Sequence, residues 1–147
     1  MTEVSTPVER LQVAARLRLA VTRLNRRLRA EGEIGLSPSA TAALSTIGRH
    51  GPLSLGELAA MEGVKPPTMT ATVAALEADG LVSRELDGRD RRVTRVTLTQ
   101  RGRQRLERSK RRKTAYLAAR LERLDERQLE ELDHSLGLIE LLLERQV

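Results

Sequence analysis

Between Asp87 and Arg92 the chain places three arginines and two aspartates in six residues, Asp87-Gly88-Arg89-Asp90-Arg91-Arg92. A tight turn needs the glycine and the aspartates; it has no need of three guanidiniums. Arginine suits a narrow minor groove of duplex DNA, where the negative potential is deepest. A carboxylate two residues before an arginine, as Asp87 stands to Arg89 and Asp90 to Arg92, can hold the guanidinium in one orientation. A second concentration of charge follows, since eight of the thirteen residues from Arg101 to Lys113 are Lys or Arg. That run reads either as phosphate contact, which positions a protein on DNA without reading sequence, or as a solvated face paired with Glu107 and its acidic neighbours. The chemistry on offer is non-covalent recognition of a polyanion, and the whole chain agrees, with 26 Lys and Arg against 20 Asp and Glu, a net charge of +6.

Other chemistries lack their residues. The absence of cysteine excludes disulfides, thiolate catalysis, thiol-based sensing and cysteine zinc sites. Two histidines, His50 and His134, fall short of the four ligands that zinc needs. No glycine-rich phosphate loop, Ser/His/Asp arrangement or carboxylate pair suggests catalysis, so neither an enzyme nor a metal or other cofactor is expected. One tyrosine, Tyr116, is the whole aromatic content, which argues against readers of single-stranded nucleic acid that stack bases on aromatic rings. Residues Met1 to Pro7 have no apolar segment behind them, and the apolar stretch Leu138 to Leu143 is short and broken by Glu140. Neither a signal peptide nor a membrane partner is expected, and the cytoplasm is the expected compartment.

The elements that must position the arginines follow from periodicity. Val13, Leu17, Val21, Leu24 and Leu28 predict a helix over about Val8 to Glu31. Ser37 with Pro38 opens a second, carrying Ala43, Leu44 and Ile47. After the connector Pro52-Leu53, Ser54 with Glu57 forms a capping box for a short helix, Leu55 to Met61, with Leu58 and Ala59 inward. Pro66-Pro67 opens another, buried through Met69, Val73 and Leu76 and closed at Asp79-Gly80. The period then switches to two: Leu81 to Leu86 and Val93 to Leu98 predict strands flanking the arginine-rich turn. Thr99 caps a long helix to about Leu124, and Asp125 a last one to about Arg145.

Two short helices about a glycine turn make a helix-turn-helix, and the hairpin after them makes a wing. The stretch Ala75-Leu76-Glu77-Ala78-Asp79-Gly80-Leu81-Val82-Ser83-Arg84, then Asp87-Gly88-Arg89-Asp90-Arg91-Arg92, then Val96-Thr97-Leu98-Thr99-Gln100-Arg101-Gly102 resembles the signature of the MarR family of bacterial transcriptional regulators, in layout over essentially the whole chain. The resemblance implies a mainly α fold with a small β wing. A winged helix-turn-helix core at residues 37–99 would lie between dimerisation helices at 8–31 and 100–146, the whole of 1–147 forming one unit. It implies that the helix from Pro66 to Ala78 enters the major groove, that Arg92 reaches the minor groove, and that Asp90 orients it, with Arg89 and Arg91 beside them. Contacts from the N-terminal, outward part of the recognition helix fall to Lys65, Pro67, Thr68, Thr70 and Thr72. A threonine hydroxyl can bond base edges or phosphates, and its methyl can pack on thymine. Ala71 departs from the many relatives with arginine there, which weakens guanine readout.

Leu129, Leu132, Leu136, Ile139 and Leu143, with Leu138, Leu141 and Leu142 widening the stripe, are too much apolar surface for a solvent-facing helix. Pairing with Leu17, Val21 and Leu24 across a subunit boundary would bury it, so a homodimer on a palindromic double-stranded site is expected. The resemblance also implies a small-molecule effector in a crevice between dimerisation helices and core, for which Leu44, Ile47, His50, Met61 and Tyr116 are the candidate lining. A dimeric sequence-specific regulator, a repressor by preference, stands against a low-specificity architectural DNA binder and a winged-helix module that binds protein.

Overall fold

The computed structural model describes residues 6–144 and is mainly helical with a small sheet. The order is α1 (Pro7–Glu31), α2 (Pro38–His50), β1 (Leu53–Ser54), α3 (Leu55–Glu62), α4 (Pro66–Ala78), β2 (Val82–Leu86), β3 (Thr94–Leu98), α5 (Gln100–Leu121) and α6 (Glu126–Leu143). The capping residues act as their chemistry dictates. Ser37 accepts from Ala40 N–H, Thr99 from Gly102 N–H, and both Ser54 with Glu57 and Asp125 with Gln128 close reciprocal capping boxes. At the end of α4, Gly80 takes φ 71°, and the amide of Leu81 reaches back to the Leu76 carbonyl at 2.9 Å. That left-handed turn sends the chain directly into β2.

Pro52-Leu53, expected as a connector, holds a strand instead. Leu53 and Ser54 pair antiparallel with Val96 and Arg95, which makes a three-stranded sheet in the order β1-β3-β2. Two residues are too few to display an alternating pattern, so only the tertiary pairing reveals them. The helix α5 stops at Leu121, short of Leu124, because the amides of Arg123 and Leu124 tighten onto the carbonyls of Arg120 and Leu121 before Asp125 caps the next helix. Arg145, the expected end of the last helix, lies outside the described residues.

The core is aliphatic and central. Ala43, Leu44 and Ile47 of α2, Leu58 and Ala59 of α3, Met69, Val73 and Leu76 of α4, and Leu81, Val82 and Val96 around the sheet form one buried cluster. Its positions on each helix are those the apolar spacing predicts. The cluster meets α5 at Gly102, where an added Cβ would fall 2.1 Å from the Leu81 carbonyl oxygen. Thr99 locks the same corner, donating from Oγ1 to the Gly80 carbonyl at 2.6 Å and accepting from Gly102 N–H at 3.0 Å. The Leu-Thr-x-x-Gly run is therefore a joint, binding the end of the hairpin to the start of α5. By contrast α1 and α6 contain no buried residue. α1 runs against α5, and α6 shares none of the principal contacts between elements.

Candidate nucleic-acid interface

The helix α4 turns Met69, Val73 and Leu76 into the core, which leaves its opposite face in solvent. Lys65 is the N-cap residue and makes no side-chain cap, and Pro66 and Pro67 carry no amide hydrogen, so Thr68 offers the first free N–H of the helix. Lys65, Pro67, Thr68 and Thr70 are exposed and Thr72 is half-buried. Two of the threonines have committed their hydroxyl protons: Thr70 Oγ1 donates to the Pro66 carbonyl at 2.9 Å and Thr72 Oγ1 to the Thr68 carbonyl at 3.0 Å.

The hairpin projects beside α4. Asp87 N–H donates to the Val93 carbonyl at 2.8 Å and Val93 N–H to the Asp90 carbonyl at 2.9 Å, closing the turn. The carboxylates order the arginine backbone as well as a guanidinium. Arg89 N–H donates to Asp87 Oδ1 at 2.7 Å, and Asp90 Oδ1 accepts both the backbone N–H of Arg92 at 3.0 Å and its Nε at 3.3 Å. Arg92 is held at its Nε edge while its side chain remains 91% exposed, so the terminal nitrogens face solvent. Arg89 and Arg91 are exposed at the same tip.

Sequence reasoning missed what anchors this hairpin. Arg95, on β3, bonds Asp87 Oδ2 through Nε at 2.5 Å and Glu57 Oε2 through Nη1 at 3.2 Å. Glu57 belongs to the capping box of α3, so one guanidinium joins the stem of the wing to the helix-turn-helix. The electrostatics follow. The Asp87 carboxyl is held below its ordinary value by the Arg89 amide and then by the Arg95 guanidinium. The Glu57 carboxyl is lowered chiefly by the Ser54 amide, with Arg95 adding to it, and Arg95 itself is raised, first by its bond to Asp87. The available signal was a carboxylate and an arginine eight apart across a turn, which becomes a pair only once the register Leu86↔Thr94 is known. A second tie runs from β2 to α4, where Arg84 Nε lies 2.8 Å from Glu77 Oε2.

The basic run of α5 divides. Arg105, Ser109 and Arg112 donate to the carbonyls of Ile34 at 2.7 Å, Gly32 at 2.9 Å and Glu33 at 2.7 Å, a clamp on the link between α1 and α2. Lys110 pairs with Glu107 at 3.1 Å. Arg101, Arg108 and Arg111 remain exposed.

A cavity of about 960 Å³ opens among α1, α2 and α5. Arg29, Arg49, Arg103, Lys110 and Lys113 face it together with Glu33, Glu62 and Glu107. None of the five residues expected to line an effector crevice lines this cavity. Leu44 and Ile47 are on the core face of α2, at 0% and 1% exposure. The cavity takes the other face, through Thr41, Ala42, Ser45 and Arg49. His50 and Met61 are exposed at the surface, and Tyr116 lies in a separate shallow recess with the Arg120 guanidinium 3.6 Å above its ring. The expectation followed apolar character, and on α2 the most apolar positions serve the core. The proposed dimer residues share a different fate: Leu17, Leu132 and Ile139 are half-buried, while Val21, Leu24, Leu129, Leu136 and Leu143 are exposed. Among the described residues no cluster of His, Asp or Glu is arranged to hold a metal ion, and no helix is long and apolar enough to cross a membrane.

Comparison with known proteins gives a consistent outcome. The model of the MarR family matches residues 36–94. The chain is 34% identical over 129 residues to an HTH-type transcriptional regulator of Mycobacterium leprae, covering 87% of this chain and 90% of that one. It is also 34% identical over 68 residues to the HTH-type transcriptional repressor MdtR of Bacillus subtilis, 46% of this chain and 44% of that one. Among solved structures, a transcriptional regulator from Pseudomonas aeruginosa superposes with a TM-score of 0.80 at 32% identity, covering 94% of this chain and 99% of the other.

Proposed function

The chain belongs to the MarR family of winged helix-turn-helix transcriptional regulators, and from that premise we propose that it acts as a homodimeric repressor on a palindromic duplex site, released by a small-molecule effector. The observation that carries the DNA-binding geometry is the arginine-tipped hairpin standing next to an exposed helix face. In this reading α4 lies in the major groove, with Lys65, Pro67, Thr68, Thr70 and Thr72 contributing base and backbone contacts. The wing follows into the minor groove with Arg92, oriented by Asp90, and with Arg89 and Arg91 on the flanking phosphates. Residues 37–99 are then the DNA-binding unit, and 8–31 with 100–146 the dimerisation unit.

The homodimer is supported by the apolar surface on α1 and α6. Leu17, Val21 and Leu24 of one protomer and Leu129, Leu132, Leu136, Ile139 and Leu143 would supply its interface. An interface built from two such helices is two-fold, which matches a palindrome. Repression is supported by the likeness to a relative named as a repressor. The effector reading is supported by the cavity, which lies against the α5 clamp on residues 32–34 and so touches both the arms and the core. Five cationic side chains against three carboxylates favour an anionic effector there. A regulator of this kind works in the cytoplasm, where its DNA is.

Selection of bound sequences from a random duplex pool at near-physiological salt, followed by titration against random DNA, tests the central claim. A palindrome with half-sites about one helical turn apart, bound roughly 10³-fold or more above random duplex, is the expected outcome. Salt-steep binding with no enriched sequence would replace the regulator by an architectural DNA binder.

A further inference from the structure

We propose that α4 reads its half-site as A·T pairs, through thymine methyl groups and adenine amino groups, and presents no side-chain donor to guanine from its outward line. The inference rests on the major-groove placement of α4 proposed above and says what that helix recognises there.

The buried line of α4 is Met69, Val73 and Leu76. At about 3.6 residues per turn, the line facing directly away from it is Pro67, Ala71, Ala74 and Ala78. All four are exposed, and none has a side-chain donor or acceptor. A helix with so low a profile can approach the floor of the groove closely, but it offers that floor only apolar surface. In the major groove the one apolar group on a base edge is the thymine methyl.

Thr70 flanks this line, and Thr72, half-buried, stands nearer the core side of the helix. Each has given its hydroxyl proton to a carbonyl one turn earlier, Pro66 for Thr70 and Thr68 for Thr72. What each presents outward is an oxygen that accepts and a methyl group. The major-groove edge of guanine shows two acceptors, N7 and O6, so an accepting oxygen gains nothing there. Adenine N6 and cytosine N4 are the donors, and only the A·T pair joins a donor to a methyl. The donors of α4 gather at its start, the Lys65 ammonium with the Thr68 amide and hydroxyl, suited to phosphate, and the arginines stand on the wing. An A·T tract also narrows the minor groove, which is where an exposed, carboxylate-oriented Arg92 is strongest.

The test combines the selected site with two changes, one in the DNA and one in the protein. Ala71→Arg puts a bidentate donor on the outward line, so the base pairs at which its selected sequence moves to guanine are those beneath α4. At those pairs the wild-type protein should select A·T, and uracil in place of each contacted thymine, which removes only the methyl, should weaken binding about fourfold. Guanine in the wild-type selection at those pairs, or affinity unmoved by uracil throughout the half-site, would overturn the inference while leaving a sequence-reading regulator intact. An Ala71→Arg protein whose selected sequence is unchanged would also overturn it, because residue 71 would then not face the bases. Failure of the wild-type protein to enrich any sequence would overturn the major-groove reading beneath it as well.

Discussion

The segment from α2 to β3 and the two long arms, α1 and α6, treat their apolar residues in opposite ways. In the first, Leu44, Leu58, Val73, Leu76 and Val96 are each at 0% exposure, and the hairpin is tied down by ion pairs made within the same chain. In the arms nothing is buried, and of the fourteen large hydrophobic residues left exposed among the described residues, twelve lie on α1 or α6. Both regions are equally regular as helices, with capping boxes at the start of α1, α3 and α6. Helix formation is thus separate from burial. The core satisfies its hydrophobic surface with its own residues, whereas the arms carry a surface that a monomer leaves in water, where a patch of that size is unfavourable. The proposed homodimer is what completes them.

The sharpest way to break this contrast is to make the arms polar. Replacing Leu136 and Ile139 together by Asp should leave a monomer by sedimentation and lower affinity for a palindrome about 10²-fold or more, since the second half-site no longer adds to the first. The sheet and α2 to α4 should keep their native amide resonances. A dimer that survives both aspartates would place the interface elsewhere. The core responds differently. Leu44→Ala should cost about 2–5 kcal/mol of stability, because a fully enclosed leucine leaves a cavity. The loss should appear in thermal melts of the monomeric double variant as well as in wild-type background. If Leu44→Ala were silent in that monomer, the core would not be self-sufficient.

The same division explains what was legible in the sequence. Core positions on α2, α3 and α4 followed from spacing, because burial on one side of a helix imposes a period of 3.6. The turn between the arginines followed from Asp and Gly, and the caps from Ser, Thr and Asp. The arms were visible as excess apolar surface, although their partner is absent from any single chain. Three things had no local signal. The strand at Leu53–Ser54 is two residues long and exists through pairing with Val96 and Arg95. Arg95 joins Asp87 and Glu57, which are eight and thirty-eight positions away. The cavity is formed by the face of α2 opposite to Leu44 and Ile47, with charged side chains from α1 and α5, whereas an apolar criterion picks out the core face.

A smaller effect separates the working surface from both regions. Arg92→Ala should weaken DNA binding by about 1–3 kcal/mol while leaving the melting temperature and the sedimentation of the protein unchanged. The side chain is almost fully exposed and its ion pair with Asp90 is a surface pair, of little consequence for stability. Wild-type affinity in Arg92→Ala would remove the wing from the interface. A fall in stability instead would mean that the guanidinium serves the fold.

The smallest effect lies where the self-sufficiency of the core reaches its polar edge. Glu57 and Asp87 both titrate below their ordinary values of 4.5 and 3.8, because the folded chain surrounds each carboxylate with amides and shares Arg95 between them. A carboxyl lowered by folding stabilises the folded state above its unfolded value and loses that contribution as pH falls through the lowered one. The wing stem should therefore be fully anchored at neutral pH and begin to loosen only in acid, below 3.8 for Asp87 and below 4.5 for Glu57. Glu57 is half open to water and Asp87, enclosed by the turn, shares an Arg95 that is itself partly exposed, so the effect on global stability should be slight; carboxyl chemical shifts followed by NMR are the appropriate readout. In Arg95→Gln the two titrations should move up but stop short of their ordinary values, since the backbone amides of Arg89 and Ser54, the leading causes of each shift, remain. Because these contacts lie within one chain, the shifts should be the same in the monomeric double variant. Titrations that changed with protein concentration would show that the wing, like the arms, depends on a second copy.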